Sequence, residues 1–544
     1  MKKKILSLLL AFMLIFTALC GLSASAEDNT NTVSVYSGTP DYTPLLAAMQ
    51  GSSKEITIMT ADQLMAFADL SLGSNFEGWT IKLGADIVIN TGDASTWGTA
   101  APKYTWKCST TWANRFAGNF DGQGHVISGL YSNYGQECGL FGTITGGNTI
   151  QNVSVINSYF EYNSENTGND MCQMGGIVGY IDSGDNVNGA YDNKTTTIKN
   201  VYVNATLYTD CTVVAPNNPD RVGVGGIVGA AGNTSYHTYV FENVAFEGNI
   251  TSTYRNTGGL IGAIFLFNFG DTTIKGCSVN ANIRNDDTGN DTDTGGLIGY
   301  CNNKTSLTIE DCIVRGTMKV ARDMNTSALI GYLNVSTNIP KSVTVDNVLL
   351  AMLPIPTGDN GNIIIQTILF RTWANANLTV NFSNVKYDSS LYTYPTDMKH
   401  IHKAGGDGTV TGGDFKATGV ATADLKGQAV FTDWTAVEND YPIPAGVNIP
   451  TIDMDAYKNL TAPTPPASSE SNNSSTNNSN NNSSSNNSGS NKTETKAPET
   501  DAPTTEATAE AKGGCGSSIG FAGISILALA AVAAITLSKK KGKI

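Results

Sequence analysis

The residues best suited to binding a metal ion are gathered in one acidic loop, residues 285–294, which is rich in Asp, Asn and Thr. Carboxylate and amide oxygens at alternate positions suit a hard cation such as calcium. The loop is not an EF-hand, because Asn302 stands where a site beginning at Asp291 would need a bidentate carboxylate. A solvated acidic loop explains the same composition. The candidate calcium ligands are Asp287, Asp291 and Asp293.

A second group of residues suited to binding is aromatic. Half of the six tryptophans lie within residues 90–117, a stretch that interrupts the surrounding pattern. Large rings with a polar atom can stack on sugar rings or on a peptide. The alternative is a loop that packs its own aromatic side chains over the neighbouring strands. The candidate ligand-binding residues are Trp97, Tyr104, Trp106 and Trp112.

The sequence offers no recognisable catalytic motif. It contains no phosphate-binding loop and no His-Glu-x-x-His. His400 and His402 could point the same way along a strand as a metal pair, but only Asp397 is near them in sequence. No catalytic residue is assigned, and calcium is the one cofactor considered. The formal charge of −14 argues against a nucleic-acid partner, which requires a basic surface.

A short phrase of the form Gly-Gly-Ile-Val-Gly recurs along the chain and organises it. Its copies are separated by 32 to 50 residues, a period that indicates a solenoid or array. A short β-branched run bounded by Gly, Asn or Asp follows each copy, as is typical of strands and turns. The sequence therefore predicts one coil of strands and turns per copy. The six copies end at Gly142, Gly179, Gly229, Gly262, Gly299 and Gly331.

The β-branched run after each copy, such as Thr-Ile-Lys-Asn-Val, predicts how the coils pack. Equivalent residues of stacked coils lie above one another, so the Ile and Val positions should form inward ladders. The Asn should occupy a turn, where it tolerates left-handed backbone and its amide can bond local backbone. Cys277 and Cys312 occupy the Val position, so we expect them to stack as small apolar residues. A disulfide or redox role for them is the alternative.

Residues 75–350 resemble the GLUG-motif repeats of secreted bacterial surface proteins. The resemblance rests on Phe-Asp-Gly-Gln-Gly-His-Val-Ile at 120–127, Gly-Leu-Phe-Gly at 139–142 and the ordered Gly-Gly-Leu-Ile-Gly copies. It implies an all-β fold, a right-handed parallel β-helix. Some members of the family carry an IgA-cleaving zinc peptidase domain. That domain requires a His-Glu-x-x-His helix, which this sequence lacks.

The N-terminal part predicts export and a cap for the solenoid. Residues 1–26 combine three lysines, an apolar run and Ala-Ser-Ala, which is typical of a signal peptide cleaved after Ala26. Residues 27–57 are polar and unpatterned, and we interpret them as a lead-in. Residues 58–350 form the β-helix with its repeats. At its start, Thr60 opens a capping box, so a short helix should cover the exposed first coil.

The C-terminal part predicts further coils followed by a surface anchor. Residues 351–460 hold C-terminal coils and a closing segment, with Trp434 expected to pack against the last coil. Residues 461–514 are rich in Ser, Asn, Thr and Pro, which predicts a disordered stalk. Residues 515–538 form a transmembrane or sorting segment, and residues 539–544 form a basic cytoplasmic tail.

The sorting segment contains a largely apolar stretch, residues 519–537, which is just long enough to cross a bilayer. The Gly-Gly-Cys-Gly before it resembles the Cys-containing C-terminal sorting signals of some bacteria. That resemblance makes Cys515 a candidate processing or lipidation site. The predicted location is the cell surface, with the C-terminal segment as the anchor.

Taken together, these features predict a non-enzymatic cell-surface β-helix protein that displays loops for adhesion. Its expected partner is a glycan, or a surface protein of a host or another bacterium. Two alternatives stay open. One is a carbohydrate-active enzyme, a polysaccharide lyase or hydrolase, whose catalytic groove is assembled across coils. The other is a surface spacer with no specific ligand.

Overall fold

The computed structural model describes residues 33–461, with gaps at 108–113, 134, 163–171, 183–193, 211–221, 233–236, 266–269, 288–291, 303–305, 322–324, 336–340, 356–366, 393–398, 413–416 and 448. The predicted signal peptide, transmembrane segment and basic tail lie outside the described residues, as does the predicted stalk beyond residue 461.

The N-terminal part contains more structure than the sequence predicted. The helix expected after Thr60 is confirmed as Ala61–Ser71. The Thr60 hydroxyl accepts a hydrogen bond from the Gln63 N–H at 3.2 Å, and Gln63 Oε1 accepts one from the Met59 N–H at 2.8 Å. The lead-in is not unpatterned, since it holds a strand at Val33–Val35 and a helix at Thr43–Gln50. The remaining elements before the repeats are the strands Glu55–Ile58, Thr80–Leu83, Asp86–Val88, Asn119–Asp121, Val126–Ser128 and Tyr131–Ser132 and the 3₁₀ turn Ala94–Thr96.

The six copies of the glycine-rich phrase fall in six successive coils of three strands each, as the period predicts. The coils are numbered here in chain order. Coil 1 holds Glu137–Cys138, Phe141–Thr145 and Thr149–Tyr162; coil 2 holds Gln173–Gly175, Val178–Asp182 and Lys194–Thr209; coil 3 holds Gly223–Gly225, Val228–Gly232 and His237–Ser252; coil 4 holds Asn256–Gly258, Ile261–Phe265 and Thr272–Asn285; coil 5 holds Asp293–Gly295, Ile298–Cys301 and Ser306–Val320; coil 6 holds Thr326–Ser327, Ile330–Val335 and Lys341–Ile355.

Two further coils and a returning segment complete the described chain. Coil 7 holds Thr367–Ala374 and Leu378–Asp388, and coil 8 holds Lys399–Gly405, Val410–Thr411 and Thr418–Val420. The returning segment contains the helix Thr422–Leu425, the strands Thr435–Val437 and Asp440–Ile443, and the helix Met454–Lys458.

The strands form two large sheets in which neighbouring coils pair in parallel, one of 16 strands and one of 14. The last two strands of the chain form a separate antiparallel hairpin. Parallel pairing of consecutive coils means that each coil buries its apolar side chains against the next. The chain is therefore mostly β, and its architecture is consistent with a parallel β-helix.

The core consists of the inward ladders that the repeat predicted. One ladder joins Ile150 to Ile198, Phe241 and Ile274 in register, and all four side chains are buried. In the neighbouring ladder Cys277 lies opposite Cys312, and both thiols are buried and free. Their expected packing as small apolar residues is confirmed. Burial, followed by the hydrogen bond with Cys277, raises the pKa of the Cys312 thiol well above its ordinary value.

A left-handed residue bends each long strand at the position that the repeat assigns to Asn. Asn152, Asn200 and Asn243 have φ values of 55°, 52° and 56°. Their amides bond one another between coils rather than local backbone, which differs from the expectation. Asn200 Nδ2 donates to Asn152 Oδ1 at 2.9 Å, and Asn243 Nδ2 donates to Asn200 Oδ1 at 3.1 Å. This asparagine ladder therefore fixes both the bend and the register of the coils.

The glycines of the repeated phrase allow the backbones of adjacent coils to approach closely. A Cβ added at Gly176 would lie 2.5 Å from Val203 Cγ1 and 2.7 Å from the carbonyl oxygen of Gly226. Real Cβ atoms do not tolerate such distances, so only glycine fits without moving the next coil.

The closing segment does not lie where the sequence placed it. Trp434 packs with Ile313 and Leu349, which point outward from the sides of coils 5 and 6, rather than over the end of the last coil. From there the chain runs back along the solenoid, and Lys458 Nζ lies 3.3 Å from Asp93 Oδ2 near the first strands. The segment 426–458, called the strap below, therefore covers a lateral face.

Replacing Asn200 tests the ladder. We expect Asn200→Ala to lower the free energy of unfolding by about 1–3 kcal/mol, because alanine disfavours the left-handed backbone and loses both amide hydrogen bonds. Asn200→Gly is the matched control, because it keeps the backbone conformation and loses only the amide. Denaturant titration measures both. Equal stability of the two variants would contradict the left-handed assignment.

Candidate functional site

The predicted aromatic residues do not form an exposed platform. Trp97 is buried, with its ring edge-on to Tyr131 at a centroid distance of 6.2 Å. Trp106 is also buried, and its indole Nε1 donates to the Gly139 carbonyl at 3.1 Å. Tyr104 is half-buried with its ring edge against Tyr36, and Trp112 lies outside the described residues. The two buried tryptophan rings therefore contribute to the stability of the fold as apolar surface removed from water. They do not form an open surface on which a ligand could stack.

The acidic loop is tied into the coils by its own contacts. Asp287 is buried and accepts a hydrogen bond from the Thr292 hydroxyl at 3.0 Å. Asp293 accepts a hydrogen bond from Asn325 Nδ2 and lies 3.6 Å from Arg255 Nε. Asp291 lies outside the described residues. Among the residues that the structure describes, no group of three His, Cys, Asp or Glu side chains could hold a metal ion, so a calcium site stays a prediction.

The predicted processing and anchoring residues cannot be placed. Ala26, Cys515 and residues 519–537 all fall outside the described part of the chain. Within the described ranges, no helix is long and apolar enough to cross a membrane.

Two polar grooves lie beside the strap, with volumes of about 590 and 540 Å³. The first is lined by Asp121, Asn152 and Pro450 among others. Burial disfavours the charge of Asp121, but hydrogen bonds from Asn152, the Gln123 N–H and Gln151 lower its pKa below its ordinary value. Because these polar atoms already satisfy one another, the grooves offer few free groups to a ligand.

The outer face of the 14-stranded sheet carries a better candidate for a ligand-binding site, at coils 5 to 8. Trp373 is 44% exposed, and its Nε1 donates to Asn375 Oδ1 at 3.1 Å. Its ring lies against Gly405 of the next coil, where an added Cβ would be 2.7 Å from the indole. The glycine therefore leaves room for the ring to lie against the sheet. Trp373 pairs with Asn334 on its other side.

A parallel row of polar and aromatic side chains runs beside Trp373. Tyr332 lies opposite Arg371, and Arg371 opposite His402. Tyr332 also stacks on Tyr300 with centroids 6.0 Å apart, and Asn334 Nδ2 donates to the Tyr300 hydroxyl at 3.0 Å. The set Tyr300, Tyr332, Asn334, Arg371 and Trp373 is called the aromatic face below.

The aromatic face can bind a ligand by two complementary means. The exposed indole offers a flat apolar surface, and the guanidinium and amide groups beside it offer hydrogen-bond donors and acceptors. Arg371 Nε is itself buried and has no hydrogen-bond partner within the described part of the chain, so a ligand would contact the terminal guanidinium nitrogens. Sequence reasoning missed this face because it looked for clustered tryptophans. The signal was the alternation in Arg-Thr-Trp-Ala at 371–374, which places Arg371 and Trp373 on one side of a strand.

The strand pairings define a β-helix-like solenoid. Comparison with known proteins does not assign the chain to a family. No protein-family profile matches the chain, and no curated protein matches it. Among solved structures, the chain is similar to a crystal structure from Bacteroides ovatus described as a "putative immunoglobulin A1 protease". The two share 18% identity, the match covers 73% of this chain and 94% of the other, and the TM-score is 0.39. The GLUG-motif resemblance therefore stays a prediction.

Replacing the two kinds of tryptophan distinguishes buried from exposed rings. We expect Trp106→Ala to lower the free energy of unfolding by about 3–5 kcal/mol, because it leaves a cavity and an unpaired carbonyl. Trp373→Ala should change it by less than about 0.5 kcal/mol, because the ring is largely exposed. Denaturant titration measures both. A Trp373→Ala loss as large as that of Trp106→Ala would show that the aromatic face is part of the core.

Proposed function

We propose that this protein is an exported, cell-surface β-helix that binds a glycan without cleaving it, through the aromatic face. The observation that supports the proposal is the 44% exposure of Trp373 beside Arg371 and Asn334. An indole with an apolar body and a polar tip is a side chain that is enriched at interfaces, and this one has polar groups beside it. The indole can stack on a sugar ring, and the Arg371 and Asn334 groups beside it can bond the hydroxyl groups of the sugar.

Export and anchoring are part of the proposal. They rest on the signal-peptide pattern of residues 1–26 and on the apolar stretch 519–537 followed by lysines. The right-handed winding of the coils is proposed on general grounds, because parallel strands are joined by right-handed crossovers in nearly all proteins. A bacterial surface-protein origin follows from the repeat resemblance alone.

Two other functions are weighed against this one. A carbohydrate-active enzyme would use the same kind of ligand but needs acidic or basic groups that converge on the bound sugar. A surface spacer would bind nothing in particular. Cleavage of immunoglobulin by a zinc peptidase is not proposed, since the sequence lacks a His-Glu-x-x-His motif.

A glycan array with product analysis tests the proposal. We expect the full chain to bind at least one glycan class without releasing products. Trp373→Ala should weaken that binding about tenfold or more, as expected for an aromatic anchor residue. Leu46→Ala is the matched control, because the Leu46 side chain is also 44% exposed but lies near the N-terminus.

The outcomes separate the alternatives. Released products would favour the enzyme over a non-cleaving binder. Binding that Trp373→Ala leaves unchanged would move the site away from the aromatic face. No binding to any glycan would favour the spacer or a protein partner.

A further inference from the structure

The strap covers a row of outward side chains, several of which are apolar. This row, called the outer row below, follows the register from coil to coil, one residue after the inward Val or Cys of each repeat. It comprises Val126, Ser154, Tyr202, Ala245, Ser278, Ile313, Leu349 and Lys386.

Two apolar clusters seat the strap on this row. Near the first coils, Val447, Ile449, Ile452, Met454 and Tyr457 of the strap pack on Val126, Ile156, Tyr202 and Ala245. Near the last coils, the strap's Phe431, Trp434 and Tyr441 pack, together with the preceding Leu425, on Ile313, Leu349 and Ala351. Few main-chain hydrogen bonds join the described residues of the strap to the solenoid. Side chains therefore make most of the contacts between the two.

A tyrosine bound to a buried carboxylate latches each end of the strap. At the last coils the Tyr441 hydroxyl donates to Asp388 Oδ2 at 2.5 Å. At the first strands the Tyr457 hydroxyl donates to Asp86 Oδ2 at 2.8 Å. Asp86 Oδ1 in turn accepts from the Val126 N–H at 3.0 Å and lies 3.0 Å from His125 Nδ1. Burial, followed by the bond to Asp86, raises the pKa of Tyr457, so its hydroxyl remains a donor to a higher pH than an ordinary tyrosine.

The two latches are not equally supported. Around Tyr441, Arg315 Nη1 also bonds Asp440 at 2.5 Å, and Lys386 Nζ donates to the Val430 carbonyl at 2.9 Å. Around Tyr457, Lys458 also lies 3.3 Å from Asp93, and the Gly92 N–H donates to the Lys458 carbonyl at 2.8 Å. The strap's apolar side chains at this end are only partly buried, whereas Phe431, Trp434 and Tyr441 at the other end are buried. The last-coil end is also continuous with coil 8. The end that carries Tyr457, called the first-coil end below, is therefore the weaker attachment.

We propose that the strap is a releasable clasp, which opens from its Tyr457 end while the coils stay folded and then uncovers the part of the outer row beneath that end. The proposal is independent of glycan binding. The side chains that it would uncover include Val126, Tyr202 and Ala245, which point away from the core. The lateral face then becomes accessible when the contact between Tyr457 and Asp86 breaks, and the coils need not unfold.

Cysteine labelling in the folded, full chain tests the clasp. Ala245→Cys places a thiol under the first-coil end of the strap, and Ala351→Cys places one under the last-coil end, where both alanines are buried. Native Cys312 in the solenoid core reports opening of the coils themselves. Peptide mass spectrometry gives the alkylation rate of each thiol separately. If Ala245→Cys fails to fold, which rapid labelling of Cys312 would reveal, Val126→Cys replaces it, because Val126 lies in the same row and is also buried under the strap.

We expect Cys at 245 to react faster than Cys312 and slower than an exposed thiol. Tyr457→Phe should raise its rate about tenfold, as expected for loss of a hydrogen bond to a charged group, and leave Cys312 unchanged. Tyr441→Phe, the matched change at the other latch, should leave the rate at 245 unchanged.

Two results would overturn the clasp. A common labelling rate at 245 and at Cys312 in every variant would mean that the strap opens only when the core does. An effect of Tyr441→Phe at 245 as large as that of Tyr457→Phe would mean that release does not begin at the first-coil end.

Discussion

In-register stacking of the coils through the left-handed asparagine corner is the constraint on which the rest of the structure depends. Asn152, Asn200 and Asn243 share the same bend and bond one another between coils. Once this corner is aligned, the Ile and Val ladders lie inside and every outward position is also repeated in register. Both surfaces discussed here, the aromatic face and the outer row under the strap, are rows that this register creates.

Periodic and local features were predictable from the sequence, because repeated residues meet their own equivalents. The coil per repeat, the Cys277–Cys312 stack and the helix after Thr60 belong to this class. The strap was not predictable, because its contacts join residues far apart in sequence, as Tyr457 and Asp86 are. The sequence nevertheless contained a signal for a covering segment. In several coils three consecutive apolar residues follow the left-handed corner, as at 312–314. A strand that is apolar on both sides is covered on both sides.

The position of the candidate site also depended on contacts that the sequence does not show. Tryptophans in the 90–117 stretch looked available, but Trp97 and Trp106 complete the N-terminal packing. Trp373 is 44% exposed although its ring lies in the space left by Gly405 of the next coil. Eight strand spacings of about 4.8 Å separate the coil of Trp373 from the strand of Asp86, so the proposed site and the first-coil latch lie roughly 38 Å apart along the solenoid.

The most direct test of this architecture is a zero-length carbodiimide cross-link of the folded chain, mapped by mass spectrometry. Lys458 Nζ lies 3.3 Å from Asp93 Oδ2 and 3.8 Å from Asp455 within its own helix. The account predicts a cross-linked peptide that joins Lys458 to Asp93 and disappears in Lys458→Arg, which keeps the charge but does not couple. Coupling of Lys458 to Asp455 alone would contradict it, because the strap would not then reach the first strands.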